Sequence, residues 1–423
     1  MGRDMGRTVI IGAGVIGLCT AWELQKRGRE VLIVDQEGPG AGSSFGNAGW
    51  VVRGYATPVP APGVVAQSIK WMLRSDSPLY VKPRLDPRFA LWMIDFWRHC
   101  SDDAFHDNMK ALSELNAKTM QQYDALAASG VQFEMHREGM FILGLSREMV
   151  EEEAHLLGGM EEFGLDKVRT VFGQEVFDEE PGLSRNVAGA VAIDSERHIR
   201  PDTFVEGMVE ALTERGVEIR SGVSVFGSSR RSGNVKLLRT TVGDIEADEV
   251  VVACGAWSGP VTKRITGTHL PLEAGKGYSV TVDQDPPAIS KTMNFIEARC
   301  ACTPFENSLR LAGTMELSGI NLDIRPERVA ALHKAGRTYL ANWDPKGNER
   351  TWVGMRSMTA DGIPVMGRVP GSDNTWIAAG HAMLGVTLAP ATGAVMADLM
   401  TTGTSDINVK PFSPDRFSRI SRI

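Results

Sequence analysis

Short runs of apolar residues near both ends of the chain are each followed by glycines and then by a helical pattern. Residues 9–11 are apolar and lead into a Gly-x-Gly-x-x-Gly segment at 12–17, after which apolar positions predict a helix ending near Gly28. Residues 31–34 form a second apolar run, and it ends on Asp35. Strand, glycine turn, helix and strand in this order predict an α/β, Rossmann-like fold.

Each glycine of the first segment has its own physical reason. Gly12 permits the tight turn, Gly14 lets the backbone approach a pyrophosphate, and Gly17 lets the helix pack closely on the strand. The start of the helix offers unpaired N–H groups to phosphates. Asp35, about twenty residues further on, suits a ribose hydroxyl. The pattern therefore predicts a dinucleotide and leaves NAD and FAD both open.

Two further segments favour FAD over NAD. Residues 38–49 are rich in glycine and carry serines and an asparagine, which suits a backbone that passes close to a ligand. Residues 375–380 predict a strand, and after the glycines at 380 and 385 a helical pattern follows that contains Pro390. The start of that helix would stabilise negative charge on a reduced flavin. An NAD-only enzyme leaves both segments unexplained.

The middle of the chain predicts a second lobe of mixed helices and strands. Residues 89–97 place aromatic side chains at helical spacing, a pattern that core packing explains more often than membrane or partner contact. Other predicted helices lie at 104–129, 148–163, 201–216 and 325–342, and predicted strands lie at 131–133, 140–143, 217–220, 275–282 and 351–357.

Composition excludes several classes of function. The 423 residues carry a formal net charge of −7 and no basic cluster of the kind that nucleic-acid binding needs. The five cysteines show neither zinc-ligand spacing nor a disulfide framework, which favours reduced thiols in the cytoplasm and no metal site. The first apolar run is too short to span a bilayer and lacks a signal-peptide cleavage pattern. Peripheral contact with the inner face of a membrane is left open, as is oligomerisation.

Five motifs in a fixed order identify a family. They are Gly12-x-Gly14-x-x-Gly17, Ser43-Ser44-Phe-Gly-Asn47-Ala-Gly, Val251-Val-Ala-Cys-Gly255-Ala-Trp-Ser258, Gly354-Met-Arg356-Ser-Met-Thr-Ala-Asp361-Gly362 and Gly380-His381-x-x-x-Gly385. Together they resemble the FAD-dependent D-amino-acid oxidase superfamily. Within it the chain is most similar to the small-subunit type of bacterial D-amino-acid dehydrogenase, through the Asn47 motif and the Pro60-Ala-Pro62-Gly63 segment that follows.

The resemblance implies a Rossmann-like FAD-binding domain, of the glutathione-reductase type, with an inserted α+β substrate domain. The FAD-binding domain would consist of residues 1–60, 190–265 and 350–423, and the substrate domain of residues 61–189 and 266–349. The residues expected to bind FAD are Gly12, Gly14, Val15, Ile16, Gly17, Asp35, Gln36, Ser43, Ser44, Asn47, Ala48, Gly49, Val223, Gly255, Trp257, Gly380, Met383, Leu384, Gly385, Val386 and Thr387.

Arg356 is the first candidate for binding the substrate. A guanidinium binds a carboxylate through two parallel hydrogen bonds, and in the family the arginine that anchors the substrate carboxylate lies in the matching segment. His381 is expected either to line the active face of the flavin or to be a hydrogen-bonded turn residue. Tyr278 and Tyr55 are further candidates for the substrate pocket, while His198 is interpreted as structural.

The resemblance also implies an activity. It predicts a dehydrogenase that oxidises a D-amino acid, or a D-proline or hydroxyproline type of substrate, by hydride transfer to FAD, with a quinone or another carrier as electron acceptor. An oxygen-using oxidase of glycine, sarcosine or a D-amino acid is left open, as is a non-catalytic, flavin-bearing subunit of a larger complex. Sarcosine oxidases with covalent flavin carry a cysteine in the segment that matches 351–358; this segment has none, which implies non-covalent FAD.

Overall fold

The computed structural model describes residues 6–65, 68, 79–284, 287–345 and 347–417. The strands of the first half are β1 (Thr8–Ile11), β2 (Val31–Val34), β3 (Trp50–Val51), β4 (Leu79–Val81), β5 (Met135–His136), β6 (Met140–Gly144), β7 (Arg169–Phe172), β8 (Gly189–Ile193), β9 (Arg197–Ile199) and β10 (Glu218–Arg220). Those of the second half are β11 (Val225–Arg231), β12 (Asn234–Thr240), β13 (Gly243–Glu246), β14 (Glu249–Val252), β15 (Glu273–Asp283), β16 (Thr292–Phe295), β17 (Cys300–Phe305), β18 (Ser308–Leu317), β19 (Asn348–Met358), β20 (Val365–Arg368) and β21 (Thr375–Ala379).

The helices begin where side chains or prolines favour a start. The Asp86, Ser101 and Ser146 side chains accept N–H hydrogen bonds in the first turns of α2, α3 and α5, as N-cap residues do. The helices are α1 (Val15–Lys26), α2 (Pro87–Arg98), α3 (Asp102–Asn116), α4 (Thr119–Ala128), α5 (Arg147–Gly158), α6 (Gln174–Glu179), α7 (Pro201–Glu214), α8 (Ser258–Thr266), α9 (Pro326–Tyr339) and α10 (Gly385–Thr401).

Six strands from distant parts of the chain form one sheet in the order β10-β2-β1-β14-β21-β20. All neighbours are parallel except β20, which runs antiparallel to β21. Ile10 and Ile33 belong to the core beneath α1 and α10, whereas Val9 and Leu32 pack towards the small sheet β11-β12-β13. Strand residues thus alternate between two buried faces, which confirms the predicted α/β, Rossmann-like fold.

A second sheet of nine strands forms the other large layer. Its order is β19-β15-β18-β17-β16-β6-β8-β7, and β4 pairs with β18. One face carries Tyr278 and Val280 of β15 in a core with α9. The opposite face of β15 carries Gly275 and Gly277, and this face borders the cavity described below.

Helices α1 and α10 pack directly against each other. A Cβ on Gly393 would lie 2.5 Å from the carbonyl oxygen of Cys19, so only glycine permits this close approach. Pro390 lies inside α10 and lacks the N–H that would bond the carbonyl of Val386, four residues earlier. The Tyr123 hydroxyl donates to that carbonyl at 2.7 Å, which satisfies the group left free by the proline.

Three predicted elements differ from the structure. The helix expected at 104–129 is divided into α3 and α4, because the buried Asn116 turns inward and donates to the carbonyl oxygens of Val52 and Arg53. Strand pairing is absent at 131–133 and begins at β5 instead. The helix expected at 148–163 ends with α5 at a pair of glycines, after which a single 3₁₀ turn follows.

The predicted domain limits at 190 and 350 fall inside β8 and β19, both strands of the nine-stranded sheet. The division into two domains stays a prediction. Among the residues that the structure describes, no helix has both the length and the apolar character that crossing a bilayer requires.

Candidate active site

A cavity of about 1760 Å³ lies between the six-stranded and the nine-stranded sheet. This is larger than the roughly 300–1,000 Å³ of typical small-ligand pockets, so it has room for a cofactor and a substrate together. It begins at the N-terminus of α1 and extends to the face of β15, β18 and β19. Every residue predicted above to bind FAD or substrate borders this cavity, apart from Gly17.

The turn between β1 and α1 shows why glycines are needed there. Gly12 has a φ of 111°, and a Cβ on it would lie 2.4 Å from the carbonyl oxygen of Ala253. A Cβ on Gly17 would lie 2.0 Å from the carbonyl oxygen of Gly12. Gly17 therefore serves the close packing of helix on strand and does not face the ligand. Gly14 borders the cavity at the start of α1, where the first N–H groups lack intrahelical partners.

Asp35 follows β2 at the same end of the cavity. Its carboxylate accepts the N–H of Ala13 at 2.8 Å and the N–H groups of Glu37 and Gly38 at 2.9 Å each. A carboxylate has about four acceptor positions, so one remains for a ribose hydroxyl. Val223 donates its N–H to the Asp35 carbonyl at 2.8 Å, and Gln36 lies exposed beside it.

The glycine-rich loop 38–49 is braced by its own polar side chains. The Ser44 hydroxyl accepts the N–H of Val15 at 3.1 Å, and the Ser43 hydroxyl donates to the carbonyl of Met355 on β19. The Asn47 amide donates to the carbonyls of both serines and accepts the N–H of Gly49. These side chains therefore hold the loop in shape, and its backbone, including Ala48, borders the cavity.

The remaining predicted cofactor residues close the cavity from two sides. Gly255 and Trp257 belong to the short turn after β14. At the start of α10, the Thr387 hydroxyl donates to the Trp50 carbonyl at 2.9 Å and accepts the N–H of Val52 at 3.2 Å. These two hydrogen bonds fix the N-terminus of α10 against β3, the strand that follows the glycine-rich loop. The other predicted residues that border the cavity here are Ile16, Gly380, Met383, Leu384, Gly385 and Val386.

Arg356 projects from β19 across the neighbouring strand into the cavity. Its Nη1 donates to the carbonyl oxygen of Thr314 at 3.0 Å. A Cβ on Gly277 would lie 2.2 Å from the same nitrogen, so the guanidinium rests directly over a glycine. Of the residues that the structure describes, none places a carboxylate within ion-pairing distance of Arg356. Burial lowers the Arg356 pKa to about 10, which leaves it charged at neutral pH.

His381 is buried at the cavity wall. Its Nε2 lies 2.9 Å from the hydroxyl of Thr392 on α10, and its backbone pairs with Met358. Burial lowers the pKa of this imidazole to about 3, so the ring is neutral at physiological pH. His381 is therefore hydrogen-bonded and borders the cavity, and its place at the active face of the flavin stays a prediction.

Tyr278 does not present its hydroxyl to the substrate pocket as expected. The hydroxyl donates to Glu316 at 3.0 Å, and the residue is 1% exposed in the core beneath α9. Strand alternation is the reason: Gly275 pairs with Arg356 on the cavity face, so Tyr278, three positions along, projects to the opposite face. There Glu316 also pairs with Lys276 at 3.1 Å.

Tyr55 lies on the cavity side of a loop that a buried acid holds in place. Glu196, which is 1% exposed, accepts the N–H groups of Arg53, Gly54 and Tyr55 at 2.6, 3.0 and 3.3 Å. The Tyr55 hydroxyl accepts the Asn294 amide at 2.6 Å. His198 is buried and bonds the carbonyl of Pro304, in keeping with its structural interpretation.

Sequence reasoning missed several residues of this site. Thr314 and Asn294 lie in segments without a glycine motif or a helical signal, and the arrangement of β18 and β16 in the sheet brings them to the cavity. Glu196 has no such signal either, and it acts from behind the lining by holding the loop of Tyr55. Gly277 had a signal in the sequence, because two glycines begin the predicted strand at 275–282. The sequence could not show that the Arg356 guanidinium would lie over it. Contacts of this kind depend on which strands are neighbours.

The cavity fits FAD on structural grounds. The glycine turn at the start of α1 borders the cavity, so the first N–H groups of the helix can bind a pyrophosphate, and Asp35 keeps one acceptor for the ribose. The N-terminus of α10 points into the same cavity some distance away, where it can oppose negative charge on a flavin ring.

Comparison with known proteins agrees with this geometry. The chain matches a family described as FAD dependent oxidoreductase (DAO) over residues 7–399. A D-amino acid dehydrogenase of Xanthobacter autotrophicus is 31% identical over 427 residues, covering 97% of this chain and 99% of the relative. One of Chromohalobacter salexigens is 30% identical over 402 residues, covering 93% and 95%. A glycine oxidase from Geobacillus kaustophilus has a similar structure, with a TM-score of 0.75 at 23% identity, covering 97% and 99%.

Proposed function

Because the chain belongs to the family of FAD-dependent oxidoreductases, we propose that it is a D-amino-acid dehydrogenase. It oxidises the α-carbon–nitrogen bond of a D-amino acid to an imine, which water hydrolyses to a 2-oxo acid and ammonia. A cyclic substrate of the proline type gives a cyclic imine instead. The D configuration and the choice of a dehydrogenase over an oxidase rest on the names of the curated relatives.

The observation that carries the proposal is the unpaired charge of Arg356. Its guanidinium borders the cavity and has only the Thr314 carbonyl and the Met315 sulfur as hydrogen-bond partners among the described residues. A half-buried cation without a counter-ion suits a ligand that brings a carboxylate. A planar guanidinium also fixes the orientation of that carboxylate.

The residues of the site orient the substrate and keep its surroundings neutral. Arg356 binds the carboxylate, so that the α-carbon faces the part of the cavity between β15 and the start of α10. His381 borders this space as a neutral imidazole and adds no charge that would repel or trap the substrate amine. FAD supplies the acceptor for the hydride when it is bound.

The residues that would hold FAD fall into three groups by position. Those at the dinucleotide end and the turn after β14 are Gly12, Gly14, Val15, Ile16, Asp35, Gln36, Val223, Gly255 and Trp257. Those of the glycine-rich loop are Ser43, Ser44, Asn47, Ala48 and Gly49, and those at the start of α10 are Gly380, Met383, Leu384, Gly385, Val386 and Thr387. We propose that the cofactor is held without a covalent bond. The cavity-lining Cys254 donates its thiol to the Ile11 carbonyl, and burial raises its pKa, so it is a poor nucleophile.

We propose a quinone or another carrier as electron acceptor. Two large apolar side chains at the edge of the cavity, Trp97 and Leu322, are 64% and 52% exposed and suit contact with an apolar carrier. The protein would then act in the cytoplasm, at the inner face of a membrane. Faster turnover with a quinone analogue than in air supports this acceptor, and rapid peroxide formation in air contradicts it.

The decisive experiment is anaerobic. The purified flavoprotein is mixed with D- and L-isomers of a panel of amino acids, with D- and L-proline, glycine and sarcosine, and loss of the oxidised flavin absorbance is followed. We expect D-isomers to reduce the flavin faster than their L-isomers. Faster reduction by L-isomers contradicts the stereochemical part of the proposal, and no reduction by any amine contradicts the enzyme class.

A further inference from the structure

The cavity has a second polar wall, at a distance from Arg356. Tyr55 and Asn294 border it and are joined by the 2.6 Å hydrogen bond in which the Asn294 amide donates. Because the Tyr55 oxygen is the acceptor there, its own O–H remains available as a donor. Among the described residues no acceptor for this O–H lies within hydrogen-bond distance. A half-buried phenol that faces a cavity with a free donor is suited to a ligand.

Two groups of opposite charge lie near Tyr55 and Asn294. Glu153 of α5 and Arg299, which precedes β17, both border the cavity. Burial is the main cause that raises the pKa of Tyr55; the charge of Glu153 adds to this rise and that of Arg299 opposes it, so both groups lie close enough to influence the phenol. The positive charge of Arg299 also lowers the pKa of Glu153 and partly opposes the effect of burial. The two charges offset each other, which makes this wall polar but close to neutral.

The register of the sheet gives the distance from the arginine. Asn294 on β16 pairs with Ala301 on β17, and Ala301 pairs with Ala312 on β18. Thr314, which accepts from Arg356, lies two residues beyond Ala312 on the same strand. Two strand spacings of about 4.8 Å and two residues of about 3.3 Å separate the Cα atoms of Asn294 and Thr314 by about 12 Å.

The cavity wall between Asn294 and Thr314 carries only small side chains. Ala301 and Ala312 border the cavity with the smallest side chains other than glycine, and Gly313 follows them. A ligand with its carboxylate on Arg356 can therefore extend along the sheet towards Asn294 without meeting a bulky residue. With the Cα atom of Asn294 about 12 Å from that of Thr314, Asn294 and the Tyr55 hydroxyl bonded to it lie beyond the α-carbon of such a ligand and near the end of its side chain.

We propose that Tyr55 and Asn294, with Glu153 and Arg299 behind them, form a subsite for a neutral hydrogen-bonding group at the end of the substrate side chain, such as a carboxamide. The inference rests on the proposed function, since it assumes that Arg356 binds the substrate carboxylate. The phenol donates to the carboxamide oxygen, and the Asn294 oxygen can accept from its NH₂ group. A side-chain carboxylate is disfavoured beside Glu153, and a side-chain ammonium is disfavoured beside Arg299.

The test compares ligands of equal shape. D-Glutamine, D-glutamate and the apolar isostere D-homoleucine are each mixed with the holoenzyme anaerobically, and the rate constant of flavin reduction divided by the dissociation constant is measured. We expect D-glutamine to exceed both others by tenfold or more. Tyr55→Phe and Asn294→Leu should each reduce the preference for D-glutamine over D-homoleucine by about two- to tenfold. Tyr80→Phe, which removes a hydroxyl outside the cavity, should leave the preference unchanged.

A binding measurement separates the subsite from the activity. Glutaramate and its apolar isostere 5-methylhexanoate lack the α-amine, and their binding can be followed by the change in flavin absorbance without any turnover. Tighter binding of glutaramate in the parent protein, lost in Tyr55→Phe, supports the subsite even if no D-amino acid reduces the flavin. Equal binding of the two, or equal effects of Tyr55→Phe on both, overturns the subsite and leaves the proposed function untouched.

Discussion

The Nη1 of Arg356 lies 3.0 Å from the carbonyl oxygen of Thr314, a residue in the left-handed region with a φ of 62°. Between Lys276 and Tyr278 the pairing of β15 with β18 shifts by one residue, so Thr314 lies in a β-bulge. A β-branched residue in this conformation stores about 1–3 kcal/mol of strain. The strained turn aims its carbonyl at the arginine and thereby fixes the guanidinium over Gly277.

Arg356 is predicted to anchor the substrate without contributing to flavin binding. Arg356→Ala leaves the substrate carboxylate unpaired, at a cost of about 2–5 kcal/mol, which lowers kcat/KM by about 30-fold to several thousandfold. Arg356→Lys should recover only part, because an ammonium lacks the planar pair of donors. Steady-state kinetics and flavin absorbance measure the two effects. Arg350→Ala, an exposed arginine of the same strand that pairs with Asp283, serves as the control. A near-normal kcat/KM for Arg356→Ala would place the anchor elsewhere.

Gly277 is predicted to be essential for the position of the guanidinium. In Gly277→Ala the new methyl group would occupy the space of the Arg356 head, so KM should rise at least tenfold while the flavin spectrum changes little. Gly227→Ala on β11 is a matched control, because its nearest neighbour, the Arg239 side chain, would lie at an ordinary 3.7 Å. An unchanged KM in Gly277→Ala would show that the arginine can bind substrate from another position.

Asp35 is predicted to hold the ribose of FAD. Hydrogen bonds to a charged group are worth about 1.5–3 kcal/mol, so Asp35→Asn should raise the dissociation constant of FAD about 10- to 100-fold. Fluorescence titration of the apoprotein with FAD measures this constant. Asp244→Asn on the exposed strand β13 should bind FAD as the parent does. Equal affinity of Asp35→Asn and the parent would show that the carboxylate serves only the backbone of Ala13 and of the loop at 37–38.

Denaturation is predicted to release the cofactor from the protein as unmodified FAD. Precipitation with acid should release all the flavin as FAD into the supernatant, where chromatography identifies it. The reason is the absence of a cysteine from β19 and the protonated state of the Cys254 thiol. Yellow colour that remains in the washed precipitate contradicts this expectation.

Two buried histidines are predicted to make the protein sensitive to acid. Burial lowers the pKa of His198 and of His381 to about 3, against 6.5 for an ordinary histidine. Between these values the unfolded chain binds more protons than the folded one, so stability falls as the pH drops below 6.5. At pH 5 each histidine accounts for a loss of about 2 kcal/mol.

Denaturant unfolding at pH 7 and pH 5 measures this loss. His198→Gln can keep the hydrogen bond to the Pro304 carbonyl and cannot take up a proton, so its decline in stability should be smaller by about 2 kcal/mol. The exposed His155→Gln is the control and should decline as the parent does. An identical decline in His198→Gln and the parent would show that this ring is not kept neutral by folding.

Local patterns predicted the fold and those segments of the cavity wall that carry glycine motifs, and pairing between distant strands decided the rest. The glycine turns, Asp35 and the start of α10 have signals within a few residues, because the backbone conformation they need is local. Thr314 has none, since its role depends on a bulge between β15 and β18. The expectation that the Tyr278 hydroxyl faces the substrate pocket was wrong for a related reason. The sequence shows that side chains alternate between the two faces of β15, but it does not show which face Arg356 shares.

The close packing of α10 on α1 also sets an order of events during synthesis of the protein. Gly12 and Gly385 lie at opposite ends of the chain, and at about 5–20 residues per second the ribosome adds the second roughly 20–75 s after the first. During that time β1 lacks β21 in its sheet, and Cys19 lacks the close contact with Gly393. A nascent chain therefore exposes half of a dinucleotide site before it can retain the nucleotide. We expect FAD to enter only after translation has passed α10, so the cofactor binds a chain in which both halves of its site are already made.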